Sequence, residues 1–80
     1  MALQPSPQTP ELLDLRGVQC PLNWARAKVS LEGMPAGSRL AVLVDDPRAV
    51  QNLPRAAEAS GHAVIQVLKR REGWEIELER

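Results

Sequence analysis

Residues 74–79 constrain the fold more than any other stretch. Trp74, Ile76 and Leu78 alternate there with Glu75, Glu77 and Glu79. A period of two puts the apolar side chains on one face of a strand and the carboxylates on the other. One face of the sheet is therefore wet, and helices can cover only the opposite face. With 80 residues the chain is one domain at most. Trp24 and Trp74 are its only aromatic residues, so the core must be built from Leu, Val, Ile and Ala.

The remaining segments fit a two-layer arrangement. Residues 1–10 carry three of the seven prolines and read as a disordered tail ahead of one domain over 11–80. Leu12, Leu13 and Leu15 before Arg16-Gly17 predict a short strand over 11–16. Residues 21–32 lack Gly until Gly33 and predict a helix. Leu40 to Val44 is a continuous apolar run, a second strand. Asp46 before Pro47 predicts a capped helix start. That helix runs to about Ser60, with a kink or a break at Pro54, and Gly61 ends it. His62 to Arg70 and then Trp74 to Glu79 predict a hairpin turning at 71–73. The order is β-α-β-α-β-β: an α/β two-layer sandwich, a mixed four-stranded sheet with both helices on one face.

Composition excludes several functions. Ten basic and ten acidic residues balance to a formal charge of zero, which does not suit general nucleic-acid binding, and two aromatic residues do not make a base-stacking platform. No apolar run approaches a membrane span. The first ten residues do not read as a signal peptide, and a cytoplasmic location is expected. The single cysteine excludes an internal disulfide and a CxxC pair.

Topology separates the reactive residues. With the first strand pointing up, Cys20, Asp45-Asp46 and Lys69-Arg70-Arg71 all fall at the upper end of the sheet, and His62 falls at the lower end. Strands of six or seven residues span about 20 Å. Cys20 and His62 therefore form neither a catalytic dyad nor part of a zinc site, and no metal or cofactor is expected. The upper edge, at the carboxyl ends of the parallel strands, is where open α/β sheets bind ligands.

Cys20 stands between Gly17, which permits a sharp turn, and Pro21, which suits the first helical turn. This makes it the N-cap or nearly so. There the unsatisfied N–H groups and the helix dipole favour thiolate, with Arg16 adding positive charge. The bland alternative is a small buried hydrophobe. A lone thiol lacks a resolving partner, so the chemistry that suits it is a transferable covalent adduct such as a persulfide.

Leu15-Arg16-Gly17-Val18-Gln19-Cys20-Pro21 resembles the signature of the TusA/SirA family of small sulfur carriers. Met34-Pro35-Ala36-Gly37, Asp45-Asp46-Pro47, Asn52-Leu53-Pro54 and Gly61-His62 continue the likeness, which covers about residues 11–79. The resemblance implies the βαβαββ fold and a persulfide on Cys20, with Arg16, Gly17, Pro21 and Asn23 in support. It also implies sulfur donor and acceptor proteins, such as a cysteine desulfurase or a rhodanese-like protein, in tRNA thiolation, sulfur oxidation or cofactor sulfuration. Contact with tRNA would be indirect only.

One position departs from the family. Its usual CPxP reads Cys20-Pro21-Leu22-Asn23 here. Either the Asn23 N–H gives the Cys20 sulfur a donor that proline lacks, or Asn23 is a tolerated first-turn residue.

Other residues keep two readings. On the first helix Trp24, Ala27 and Leu31 share one face and are expected in the core. Leu22, Ala25 and Val29 share another, and either pack sideways on the second helix or form a docking patch beside Cys20. Asp46 is expected to cap rather than to form a catalytic pair with Asp45. Arg16 can pair with a carboxylate instead of supporting the sulfur. Arg70, within Lys69-Arg70-Arg71, is either a solvated turn residue or a contact for an acidic partner. His62 is expected at the surface, and Trp74 packed against the sheet or helices. The competing function is a non-catalytic binding or regulatory module with an inert cysteine.

Overall fold

The computed structural model describes residues 10–19 and 21–80. Both the segment read as a tail, apart from Pro10, and Cys20 itself lie outside the described residues. The elements are β1 (Glu11–Asp14), α1 (Leu22–Glu32), β2 (Arg39–Val44), α2 (Pro47–Ala59), β3 (Ala63–Arg70) and β4 (Gly73–Glu79). They form a four-stranded sheet in the order β1-β2-β4-β3. β1 runs parallel to β2, and β4 is antiparallel to both β2 and β3. The expected mixed two-layer fold is thus present, and β1 ends at Asp14, two residues earlier than the sequence suggests.

The core lies between one sheet face and the helices. β2 contributes Leu40, Val42 and Val44, and β4 contributes Ile76 and Leu78, all buried. α2 meets them with Ala49, Leu53 and Ala57, and α1 with Ala27 and Leu31. Three of those five helical residues are alanines, so both helix backbones can approach the sheet closely. Asp46 accepts the Arg48 N–H at 3.0 Å and caps α2, with Pro47 in the first turn. α2 continues through Pro54 as one helix. It stops where Gly61, at φ +88°, adopts a left-handed conformation that side chains disfavour. The Gly61 and His62 N–H groups then satisfy the Glu58 and Ala57 carbonyls.

Two expectations fail in the packing, and one open alternative is decided. Asn23, not Trp24, completes the buried line of α1 with Ala27 and Leu31, and Trp24 is half-buried on the flank. Spacing of four residues puts 23, 27 and 31 on one stripe. Leu22 and Val29 are 52% and 75% exposed and Ala25 is exposed, so this face of α1 does not pack on α2. The carboxylate face is not uniformly wet either, because Glu77 is only 5% exposed. Gln66 Nε2 donates to one Glu77 oxygen at 2.9 Å, and Arg39 Nη1 donates to the other at 3.3 Å.

His62 also departs from the surface position expected. Its side chain is 9% exposed, with Nε2 lying 3.9 Å from the Glu32 carboxylate at the end of α1. It does lie just before β3 at the lower end, away from the β1–α1 loop, as the topology required.

Candidate functional site at the upper edge of the sheet

The chain leading to Cys20 is held at successive points. The Leu15 N–H reaches the Leu43 carbonyl at 2.8 Å and extends the β1–β2 ladder by one bond. The Val18 N–H returns to the Leu15 carbonyl at 3.1 Å and closes a tight turn. Gly17, in that turn, has φ +85°, a conformation that costs any residue with a Cβ. Its N–H donates to Asp45 Oδ1 at 2.9 Å. The side chain of Val18 packs against the core.

Residues after Cys20 reach back to the same turn. The Asn23 N–H donates to the Gln19 carbonyl at 3.1 Å. Asn23 Nδ2 lies 3.5 Å from the Val18 carbonyl, and Asn23 Oδ1 accepts the Trp24 N–H at 2.7 Å. A fully buried amide therefore fastens both the loop and the first turn of α1. Of the two readings of Asn23, the one that makes its N–H a donor to sulfur meets an N–H that already serves the Gln19 carbonyl. Pro21 is likewise displaced from expectation. It occupies the N-cap position, at φ −93° and ψ 2°, and not the first helical position. Cys20 thus precedes the N-cap in sequence.

Arg16 is committed to a carboxylate. Its Nε and Nη2 donate to the two oxygens of Asp14 at 2.9 and 2.7 Å, and its backbone N–H also reaches Asp14 at 3.1 Å. The guanidinium and backbone hydrogen bonds hold the Asp14 carboxyl at about 2, against an ordinary value of 3.8. The same pairing with Asp14 raises the Arg16 pKa, and Glu72, 3.7 Å from Nη1, adds to it. Much of the positive charge expected to aid a thiolate is therefore met by acids. Arg70 is also paired, with Nη2 at 2.7 Å from Glu75. Lys69 Nζ stands 4.1 Å above the Trp74 ring, a cation–π contact.

The upper edge does gather what topology assigned to it. Arg16, Gly17, Asp45 and Glu72 meet there, and a shallow depression is lined by Arg16, Val44, Arg70, Glu72, Gly73 and Trp74. Sequence reasoning placed Asp45 at this edge but missed its partner, the Gly17 N–H. The signal was the doublet itself: one aspartate is enough to cap α2, which leaves the other to reach a neighbour. Among the described residues no group of three or more His, Cys, Asp and Glu can hold a metal ion. No helix of the described residues is long and apolar enough to cross a membrane.

Leu22, Ala25 and Val29 form an exposed apolar face on α1. It continues into a groove against β1 that is lined by Leu13, Leu15, Ala25, Arg26, Val29 and Ser30.

Comparison with known proteins decides the family. Residues 11–80 match the family model described as sulfurtransferase TusA. The chain belongs to the TusA family. It is 42% identical over 59 residues to an Archaeoglobus fulgidus protein named "Putative sulfur carrier protein", covering 74% of this chain and 67% of that one. It is 35% identical over 54 residues to the sulfur carrier protein TusA of Allochromatium vinosum, covering 68% of this chain and 71% of that one. The crystal structure of a SirA-like protein from Desulfitobacterium hafniense superimposes with a TM-score of 0.75 at 30% identity, covering 85% of this chain and 93% of that one. Membership of this family makes the chain a sulfur carrier that works with sulfur donor and acceptor proteins.

Proposed function

We propose that the protein carries sulfane sulfur as a persulfide on Cys20 and passes it on within a relay. The observation that carries this reading is the bracing of residues 15–19 and 21–24 on both sides of Cys20, at the carboxyl end of the parallel β1–β2 pair. Held flanking segments reduce the entropy lost in ordering a nucleophile that lies between them in sequence.

The chemistry balances without an external oxidant. The Cys20 thiolate attacks the outer sulfur of a donor persulfide, and the donor S–S bond breaks. Its electron pair leaves on the donor thiolate as the new S–S bond forms on Cys20. In the second step an acceptor nucleophile attacks that outer sulfur, and the electron pair returns to Cys20. The domain over 11–80 supplies the site, and a reducing compartment such as the cytoplasm keeps the thiol free.

Partner proteins would dock on the exposed face of Leu22, Ala25 and Val29, which follows Cys20 along α1. A cysteine desulfurase or a rhodanese-like protein has the chemistry of a donor. Arg70, at the rim of the same edge, would contact an acidic partner only by exchanging its pairing with Glu75.

The test is intact mass after incubation with glutathione persulfide. A gain of one sulfur in the wild type that is absent in Cys20→Ser supports the carrier. No gain in the wild type, with an ordinary thiol titration, points to a binding module with an inert cysteine.

A further inference from the structure

We propose that Asp45 is a positioning residue for the chemistry at Cys20, acting through its hydrogen bond to the Gly17 N–H; this rests on the persulfide reading above. Three features support it. First, Asp45 follows β2 directly, and its Oδ1 lies 2.9 Å from Gly17 N although 28 residues separate them in sequence. Second, the bond falls on the one left-handed residue of the loop before Cys20: Gly17 has φ +85°. That φ turns the chain sharply, and the Gly17 N–H finds its acceptor outside the loop, on Asp45. Third, the neighbouring acid cannot take over, because the Asp46 carboxylate is engaged with Arg48 and caps α2.

The other hydrogen bonds on this loop are local, run to α1 or precede the turn. Val18 bonds Leu15, and Asn23 bonds Val18 and Gln19. Leu15 bonds Leu43 before the turn begins. Among the hydrogen bonds of the described residues, the one to Asp45 ties the turn itself to the end of β2. Without it the turn is tied to the sheet and core through the Val18 side chain and the longer Arg16–Glu72 contact.

The carboxylate has two separable roles, an acceptor and a negative charge. Asp45→Asn keeps the acceptor and removes the charge, whereas Asp45→Ala removes both. The two variants are compared by the pH midpoint of Cys20 alkylation with iodoacetamide, by the rate of loading from glutathione persulfide, and by hydrogen exchange at the Gly17 amide. Asp45→Asn should keep Gly17 protection, with a midpoint at or below that of the wild type because a nearby acid is gone. Asp45→Ala should lose that protection. Its midpoint should stand above that of Asp45→Asn by about half a pH unit, a threefold change in thiolate fraction, and its loading should fall severalfold.

Thermal melting shows whether either variant is merely unstable; a purely structural role would lower both melting temperatures without separating the alkylation midpoints. Equal midpoints and equal loading in the two variants would overturn the proposal. If the wild type fails to load sulfur while the alkylation midpoints still separate, the persulfide reading fails and the positioning role of Asp45 stands.

Discussion

Asn23→Ala is the sharpest test of how the site is built. Asn23 is fully buried, in a line with Ala27 and Leu31. Its Oδ1 accepts the Trp24 N–H at 2.7 Å, a short and well-formed bond. The Nδ2 contact to the Val18 carbonyl, at 3.5 Å, is at the limit of hydrogen bonding and counts for little. Truncation removes one bond, worth about 1 kcal/mol net. That loss should lower the melting temperature by roughly 4–8 °C in a domain of this size. Far-UV circular dichroism melts read it directly. Asn23→Pro, the usual family residue, also deletes the donor to the Gln19 carbonyl and should destabilise at least as much as alanine unless the loop rearranges. A loss below about 0.5 kcal/mol in Asn23→Ala would refute the claim that this side chain fastens the first turn of α1.

Three further outcomes follow from the same geometry. Gly73→Ala should cost about 3 kcal/mol or more in chemical denaturation, because the backbone is at φ +149° and an added Cβ would overlap the Val44 carbonyl oxygen. Asp14 titrates at about 2 when folded against 3.8 otherwise. Its contribution to stability is therefore present above about pH 4 and fades as the pH falls toward 2. Asp14→Asn should flatten the acid limb of the stability profile in that window, and an unchanged limb would count against the Asp14–Arg16 pairing. Arg39→Ala should lose about 1–3 kcal/mol, because it leaves the buried Glu77 carboxylate with Gln66 as its remaining side-chain hydrogen-bond partner. Equilibrium urea unfolding would measure it.

Periodicity carried the fold. The alternation at 74–79 fixed a one-sided sheet, and the apolar run at 40–44 with the Asp46-Pro47 start fixed β2 and α2. The separation of His62 from the Cys20 loop followed from strand direction alone. Burial of individual polar groups was not legible in that way. Asn23 and Glu77 look like surface residues, and both are buried because neighbours satisfy them. The partners of Glu77, Arg39 and Gln66, come from other strands. Pairwise sequence spacing within one element cannot announce such contacts. For Leu22, Ala25 and Val29 the sequence left two readings open, packing on α2 or an exposed apolar patch, and their exposure rules out the first.

The amino-acid order alone determined the element sequence, the aliphatic core, the end of the sheet at which the cysteine loop emerges, and the resemblance to a family of sulfur carriers. Those properties depend on local period, turn chemistry and strand direction, all of which are written in neighbouring residues. Tertiary structure alone decided which acid meets which distant donor: Asp45 with Gly17, and Glu77 with Arg39 and Gln66. Hydrogen bonds act over about 3 Å, and which groups come within that reach depends on the twist, register and approach of whole elements.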